Sequence, residues 1–242
     1  GLWHEHINKA KQIAEQNDIR IIGVHVHIGS GIDFMHLRKV AKTTCDLARQ
    51  FSDVRVVNFG GGLPIPYHPD EKPIDIGQYY AILHDEVAKL EADLGRSIGW
   101  EIEPGRYVVA KCGVLVTTII DIKTNPEFTF LIVDSGFHHL IRPMAYGAYH
   151  HMSIIPKGKR ALGPEEEFVV AGILCESGDV FTQDDGTIIT RKFLTPKIGD
   201  NFIIHDAGAY GYSMASNYNG YPRPAEYLWD GTDCELIRER EF

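Results

Sequence analysis

Three stretches of the chain combine residue types that could hold an anion or a metal. They are His25-Val26-His27-Ile28-Gly29-Ser30-Gly31, Gly60-Gly61-Gly62 and Glu103-Pro104-Gly105-Arg106. In the first, an H-x-H at a strand end puts two imidazoles on one face, as a metal site would; two structural histidines are the plainer alternative. Gly29-Ser30-Gly31 adds backbone N–H groups and a hydroxyl, which suit a phosphate. The glycine triplet lets main chain approach an anion closely, but it also suits a tight turn. Glu103 and Arg106, three residues apart, also read as a local ion pair of little energetic weight. Together, two anion-binding loops beside a Glu–Arg turn suggest a phosphorylated cofactor.

The elements that must position these stretches alternate. Residues 2–17, 37–51 and 76–94 carry helical patterns, and residues 19–28, 54–59 and 98–102 read as strands. Each strand ends in one of the three stretches. The strand starts lie roughly 35–45 residues apart, consistent with complete βα crossovers and a parallel sheet. In such sheets ligands bind at the strand C-termini. After about residue 112 the pattern becomes mostly β, with strands over 114–122, 128–133, 168–174, 187–193 and 201–205. Asn125-Pro126, Asp185-Gly186 and Gly199-Asp200 supply turns between them. The expected division is therefore 1–112, α/β, and 113–242, all-β. A complete (β/α)8 barrel needs eight strands and about 250 residues. Pattern alone leaves open whether the three units are the last part of a barrel or a complete open sheet.

Bulk properties exclude some classes. The 242 residues carry a net charge of −9, which argues against a nucleic-acid partner. No apolar run approaches the roughly 20 residues needed to span a bilayer. The N-terminal residues have neither a secretory pattern nor an initiator Met, so an upstream portion is expected to be missing. Cys45, Cys112, Cys175 and Cys234 form no C-x-x-C pair and are expected as free thiols in a reducing cytoplasm.

Six segments sharpen the reading. HIGSGID (27–33), NFGGGLPIPY (58–67) and EIEPGRYVVA (101–110) resemble the fold-type III pyridoxal-phosphate (PLP) decarboxylases. DSGFHHLIRPMAYGAYHH (134–151), AGILCESGDVF (171–181) and HDAGAYGYSMASNYNG (205–220) continue the resemblance in the family's order. C-E-S-G-D and R-P-x-x-Y-G point within that group to the diaminopimelate decarboxylases. The resemblance implies the C-terminal part of a PLP-binding (β/α)8 barrel followed by a mostly antiparallel β domain. It implies a carboxy-lyase that converts meso-diaminopimelate to L-lysine, and a homodimer with shared active sites.

The resemblance also assigns residues. His27 is similar to the imidazole stacked on the PLP ring; Ser30, Gly60, Gly61 and Gly62 resemble phosphate loops. Glu103 resembles the acid facing the pyridine nitrogen, where a carboxylate favours the protonated ring and makes it a better electron sink. Arg106 resembles a residue between phosphate and substrate, and Tyr210 a tyrosine reaching both. Arg142 and Tyr146 resemble substrate ligands. Diaminopimelate carries a second carboxylate and a second amine, for which Arg142 and Glu176 are the expected partners. Cys175 resembles a proton donor contributed across the dimer interface; without the resemblance an inert buried cysteine is the plain reading. The adjacent pairs His138-His139 and His150-His151 are expected to be structural, because neighbours on a strand face opposite ways.

One departure stands out. The family carries its cofactor on a lysine at an early barrel strand, and no lysine here has a comparable context; Lys111, just after the third stretch, fits a helix surface. The expectation is a chain lacking the part that bears that lysine, and inactive alone. The rivals are a decarboxylase of ornithine or arginine, a non-catalytic pairing module, and a metal hydrolase built on His25 and His27.

Overall fold

The structure, a computed structural model, describes residues 1–27, 29 and 33–241. Ser30, one of the expected phosphate ligands, lies outside the described residues. The chain divides into two compact units: Gly1–Pro66 with Lys72–Tyr107, and Tyr67–Glu71 with Val108–Phe242. No described helix is long and apolar enough to cross a membrane.

The first unit alternates helix α1 (Ile7–Gln16), strand β1 (Gly23–His25), α2 (Phe34–Ala48), β2 (Val56–Asn58), α3 (Ile76–Leu94) and β3 (Gly99–Glu101), and runs into a short α4 (Gly105–Val109). The strands pair in parallel in the order β1-β2-β3, with Val24 opposite Val57 and Val57 opposite Trp100. Helix starts are chemically marked: the Asp33 carboxylate accepts from His36 N–H and that of Asp75 from Gln78 N–H. Gly95, at φ 65°, ends α3 in the left-handed conformation that glycine adopts without strain. One face of α2 (Leu37, Ala41, Cys45, Ala48) and one of α3 (Tyr79, Ile82, Leu83, Val87, Leu90) are buried with Val57 and Phe59. Burial pushes the Cys45 thiol up to about 11, so it is an inert core residue.

The second unit is built on a six-stranded sheet of β4 (Leu115–Thr124), β5 (Thr129–Val133), β6 (Met152–Ile155), β7 (Glu165–Ala171), β10 (Arg191–Leu194) and β11 (Asn201–Ile204). Its order is β10-β7-β5-β4-β11-β6, antiparallel except for the β5–β7 pair. The small hairpins β8 (Gln183–Asp184) with β9 (Thr187–Ile188), and β12 (Glu226–Trp229) with β13 (Cys234–Arg238), lie outside it. Alternate residues of the large sheet, among them Ile119, Leu131, Val133, Phe168, Phe193, Phe202 and Ile204, form its core. A five-residue helix, α5 (Arg142–Tyr146), follows β5.

The structure departs from the sequence expectation in several places. The strand expected over 19–28 shortens to β1, and Ile19 and Ile22 are exposed. The strand expected over 168–174 stops at Ala171, because the chain then folds around the buried Asp179, which accepts from Leu174 N–H at 2.9 Å. The run 187–193 breaks into β9 and β10. His138 and His139 do not alternate on a strand: they occupy a turn, with ring centroids 3.7 Å apart.

Candidate active site

At the C-terminal ends of the parallel strands, Asn58 organises the neighbourhood. Its Oδ1 accepts the Gly60 N–H at 2.8 Å. Its Nδ2 lies 3.1 Å from both Glu101 Oε2 and Glu103 Oε1. His25 Nε2 is 3.3 Å from the same Glu103 oxygen, while His27 Nδ1 accepts from Gly61 N–H at 3.2 Å. The two histidines of the H-x-H motif thus serve different partners. Among the described residues no group of three or more His, Cys, Asp or Glu is placed to hold a metal ion. The structure therefore brings His27, Gly60, Gly61 and Glu103 together, with His25 and Asn58 as members that the sequence had not assigned. Arg106 lies half-buried in α4, three residues beyond Glu103.

The glycines are required here. Gly60 has a φ of +68°, and a Cβ on Gly61 would lie 2.8 Å from the Glu103 carbonyl oxygen and 3.1 Å from the His27 ring. The loop is thus main chain packed directly against a ring and the end of the next strand. Such a surface fits a flat phosphorylated cofactor: bare backbone for the phosphate, an imidazole for the ring face, a carboxylate for a ring N–H. No lysine occurs in residues 25–33, 58–66 or 101–106. The residues at this edge suit the non-covalent contacts of PLP and do not include its covalent anchor.

The second unit holds a separate constellation. Arg142, the first residue of α5, is 7% exposed. Its guanidinium carbon lies 4.4 Å from the centre of the Tyr67 ring and 5.7 Å from that of Tyr210. Tyr210 sits at φ 61°, a region that costs an aromatic residue about 1–3 kcal/mol and is found mainly where function demands it. Tyr146, at the far end of α5, is exposed.

The loop from Gly172 to Asp179 presents Cys175 and Glu176, both exposed. Asp179 is the peg on which the loop hangs: it is 4% exposed and accepts from Phe137 N–H at 2.7 Å as well as from Leu174 N–H. A Cβ on Gly136 would lie 2.6 Å from its carboxylate, so glycine there makes room for it. Burial raises the Asp179 carboxyl against the lowering effect of those two N–H donors. On the outside, Asn219 Oδ1 accepts from Cys175 N–H at 3.0 Å, and the Tyr218 hydroxyl lies 3.2 Å from Glu176 Oε2. Donors on Gly178, Tyr218 and Ser177 hold the Glu176 carboxyl below its usual range, so it is an anion at neutral pH. A Cβ on Gly178 would be 3.6 Å from Met144 of α5, so the loop and the helix that starts with Arg142 adjoin. Asp179, Tyr218 and Asn219 lie in the same sequence runs as Cys175 and Glu176 or in the next one, but the runs give them no role, because their contacts join segments up to 44 residues apart.

Comparison with known proteins gives the same reading. Residues 1–110 match the pyridoxal binding domain of pyridoxal-dependent decarboxylases, and residues 106–208 match their C-terminal sheet domain. The chain is 43% identical over 245 residues to the diaminopimelate decarboxylase of Buchnera aphidicola subsp. Baizongia pistaciae, covering all of this chain and 58% of that protein. It is 40% identical to that of Escherichia coli (strain K12), with the same coverage. A crystal structure of diaminopimelate decarboxylase superposes with a TM-score of 0.96 at 40% identity, over 100% of this chain and 58% of the other. The chain thus spans somewhat under two thirds of the curated relatives it matches. Its parallel βα units correspond to part of the family's barrel and its six-stranded sheet to the family's sheet domain. With both domain models matched in succession over residues 1–208, the chain belongs to the pyridoxal-dependent decarboxylases.

Proposed function

We propose that the protein to which this chain belongs removes CO2 from meso-2,6-diaminopimelate to give L-lysine, as a PLP-dependent enzyme of lysine biosynthesis in the cytoplasm. The observation that carries the choice of substrate is that the second unit supplies both charges such a substrate needs, the buried guanidinium of Arg142 and the carboxylate of Glu176 on an exposed loop, so that Arg142 of one copy and Glu176 of a second copy serve one substrate. A diamino dicarboxylic acid presents one acid and one amine at its non-reacting end. Arg142 receives that carboxylate and Glu176 that ammonium, with Tyr146 lining the same end. Ornithine and arginine carry no distal carboxylate to take the two parallel N–H donors that a guanidinium offers.

His27 would face the cofactor ring, Glu103 its pyridine nitrogen, and Gly60–Gly62 with Ser30 and Arg106 its phosphate, with Tyr210 reaching both phosphate and substrate. When bound, PLP supplies an electron sink for the substrate carbon as its carboxylate departs. Asn58 and His25 keep Glu103 in place for that role. The Sγ–H of Cys175 delivers a proton to the carbon that CO2 has left. Cys175 and Glu176 act on the site of a second copy of the chain, so the working unit is a homodimer. A segment upstream of this chain, bearing the PLP lysine, completes each site.

A substrate panel tests the reading. The account expects decarboxylation of meso-diaminopimelate and little of ornithine or arginine. Preference for either basic amino acid would replace the diaminopimelate assignment. Dilution below the dimer dissociation constant should abolish turnover, and an active monomer would remove the shared site.

A further inference from the structure

The histidine pair 150–151 has no part in the function above, yet its first member is wholly buried behind Arg142. His150 is 0% exposed, with its Nε2 2.9 Å from Arg142 Nη1 and its Nδ1 2.8 Å from the His205 carbonyl oxygen. A carbonyl can only accept, so Nδ1 carries the ring proton. A guanidinium can only donate, so Nε2 is the bare lone pair. Both ring bonds are therefore directional: Arg142 gives to His150, and His150 gives to the end of β11. A charged imidazolium would face the guanidinium at contact distance with no lone pair to offer it.

The receptor is itself fixed. His205 N–H donates to the His151 carbonyl at 2.8 Å, and the Ser153 hydroxyl lies 2.8 Å from His205 Nε2. Arg191 donates to the His150 carbonyl at 2.8 Å. The Tyr67 ring meets the His150 ring edge-on at 5.3 Å and also lies against the Arg142 guanidinium. We propose that His150 is a positioning residue: a neutral imidazole that grips Arg142 from inside the sheet unit and sets the plane in which its fork meets the distal carboxylate of the substrate. This rests on the assignment of Arg142 as the carboxylate ligand.

Two substitutions separate this role from support of the backbone. His150→Gln puts an amide oxygen near the position of Nε2 and keeps an acceptor for Arg142. His150→Asn keeps a donor near the position of Nδ1 for the His205 carbonyl and removes the acceptor. The probes are pimelate, which has two carboxylates, and hexanoate, which has one, as competitive inhibitors of the PLP-loaded protein with its upstream portion supplied. His150→Asn is expected to weaken pimelate by roughly ten-fold or more and to leave hexanoate unchanged, while His150→Gln stays near the unsubstituted protein. Rescue by Asn and not by Gln, or equal loss of both inhibitors, would overturn the proposal. Arg142→Met is the control: if it keeps the preference for pimelate, the assignment of Arg142 fails. If Arg142→Met abolishes the preference and His150→Asn does not, the role of His150 fails. Imidazole nitrogen chemical shifts in the unsubstituted protein give an answer independent of variant folding. A neutral ring protonated on Nδ1 at pH 7 is expected, and protonation on Nε2 or on both nitrogens overturns the proposal.

Discussion

Asn58 holds Glu103: its Nδ2 lies 3.1 Å from Glu103 Oε1, while its Oδ1 takes the Gly60 N–H at 2.8 Å. One amide thus ties the acid at the end of β3 to the glycine loop after β2. Asn58→Ala should weaken PLP binding measurably, because three hydrogen bonds, to Glu101, Glu103 and Gly60, worth about 0.5–1.5 kcal/mol each, are lost from the cofactor edge. Asn58→Asp should be worse, since it sets a third carboxylate beside Glu101 and Glu103. Fluorescence titration with PLP checks both; unchanged affinity in the Asp variant would show that Asn58 does not control Glu103.

Cys175 is exposed on a loop whose shape depends on Asp179 and Asn219 and not on its own thiol. Cys175→Ala should therefore leave the loop intact and the PLP absorption spectrum unaltered. Turnover should fall by about 10²-fold or more, the usual worth of a positioned proton donor. Wild-type turnover in this variant would take the thiol out of the reaction.

Glu176 is held as an anion by donors that persist when the acid is replaced by an amide of the same shape. Glu176→Gln should raise KM for meso-diaminopimelate by roughly ten-fold, the loss of a hydrogen bond to a charged group. Steady-state kinetics decides this, and an unchanged KM would place the distal amine elsewhere.

The buried histidines make a prediction about pH. Burial, helped by His139, pulls His138 down to about 4. Burial, opposed by the His205 carbonyl and helped by Arg142, does the same to His150. Both values lie below the ordinary 6.5, so between pH 6.5 and 4 the unfolded chain binds more protons than the folded one. Stability should be intact above pH 6.5 and fall as the pH drops toward 4, by at most roughly 3 kcal/mol per histidine. Asp179, whose carboxyl burial raises, opposes this at the acid end. Denaturant midpoints across that range measure the slope, and His138→Gln should flatten it. A midpoint that does not move between pH 7 and 5 would contradict the burial of these rings.

Local signals were legible in the sequence where the chemistry is local. The helix expected over 76–94 is α3 to the residue, because Asp75 and Gly95 mark its ends with side chain and backbone conformation. The strand expected over 19–28 was too long because an apolar run was read as burial, whereas Ile19 and Ile22 are exposed. Helix α5 spans little more than one turn, and β12 and β13 show no alternation to read, since Tyr227, Leu228 and Trp229, like Leu236 and Ile237, are consecutive exposed apolar residues. At the site, motifs exposed Glu103, Cys175 and Arg142, since each lies within a recognisable run of residues. Asn58 and Asp179 lie in recognisable runs too, but their pairings were not legible, because Asn58 meets Glu103 across 45 positions and Asp179 meets Phe137 across 42. His150 was set aside by an argument about strand alternation, yet its ring nitrogen reaches Arg142, eight residues before it.

The most direct test of the central claim is formation of L-lysine and CO2 from meso-diaminopimelate with added PLP. It should be measured for the 242-residue chain alone and again with the upstream portion of its gene product supplied. The account predicts equimolar lysine and CO2 only when the upstream portion is present. Lysine formed by the chain alone would mean that one of its own lysines carries the cofactor. No product in either case, with ornithine and arginine also inert, would contradict the decarboxylase assignment and favour a non-catalytic pairing module.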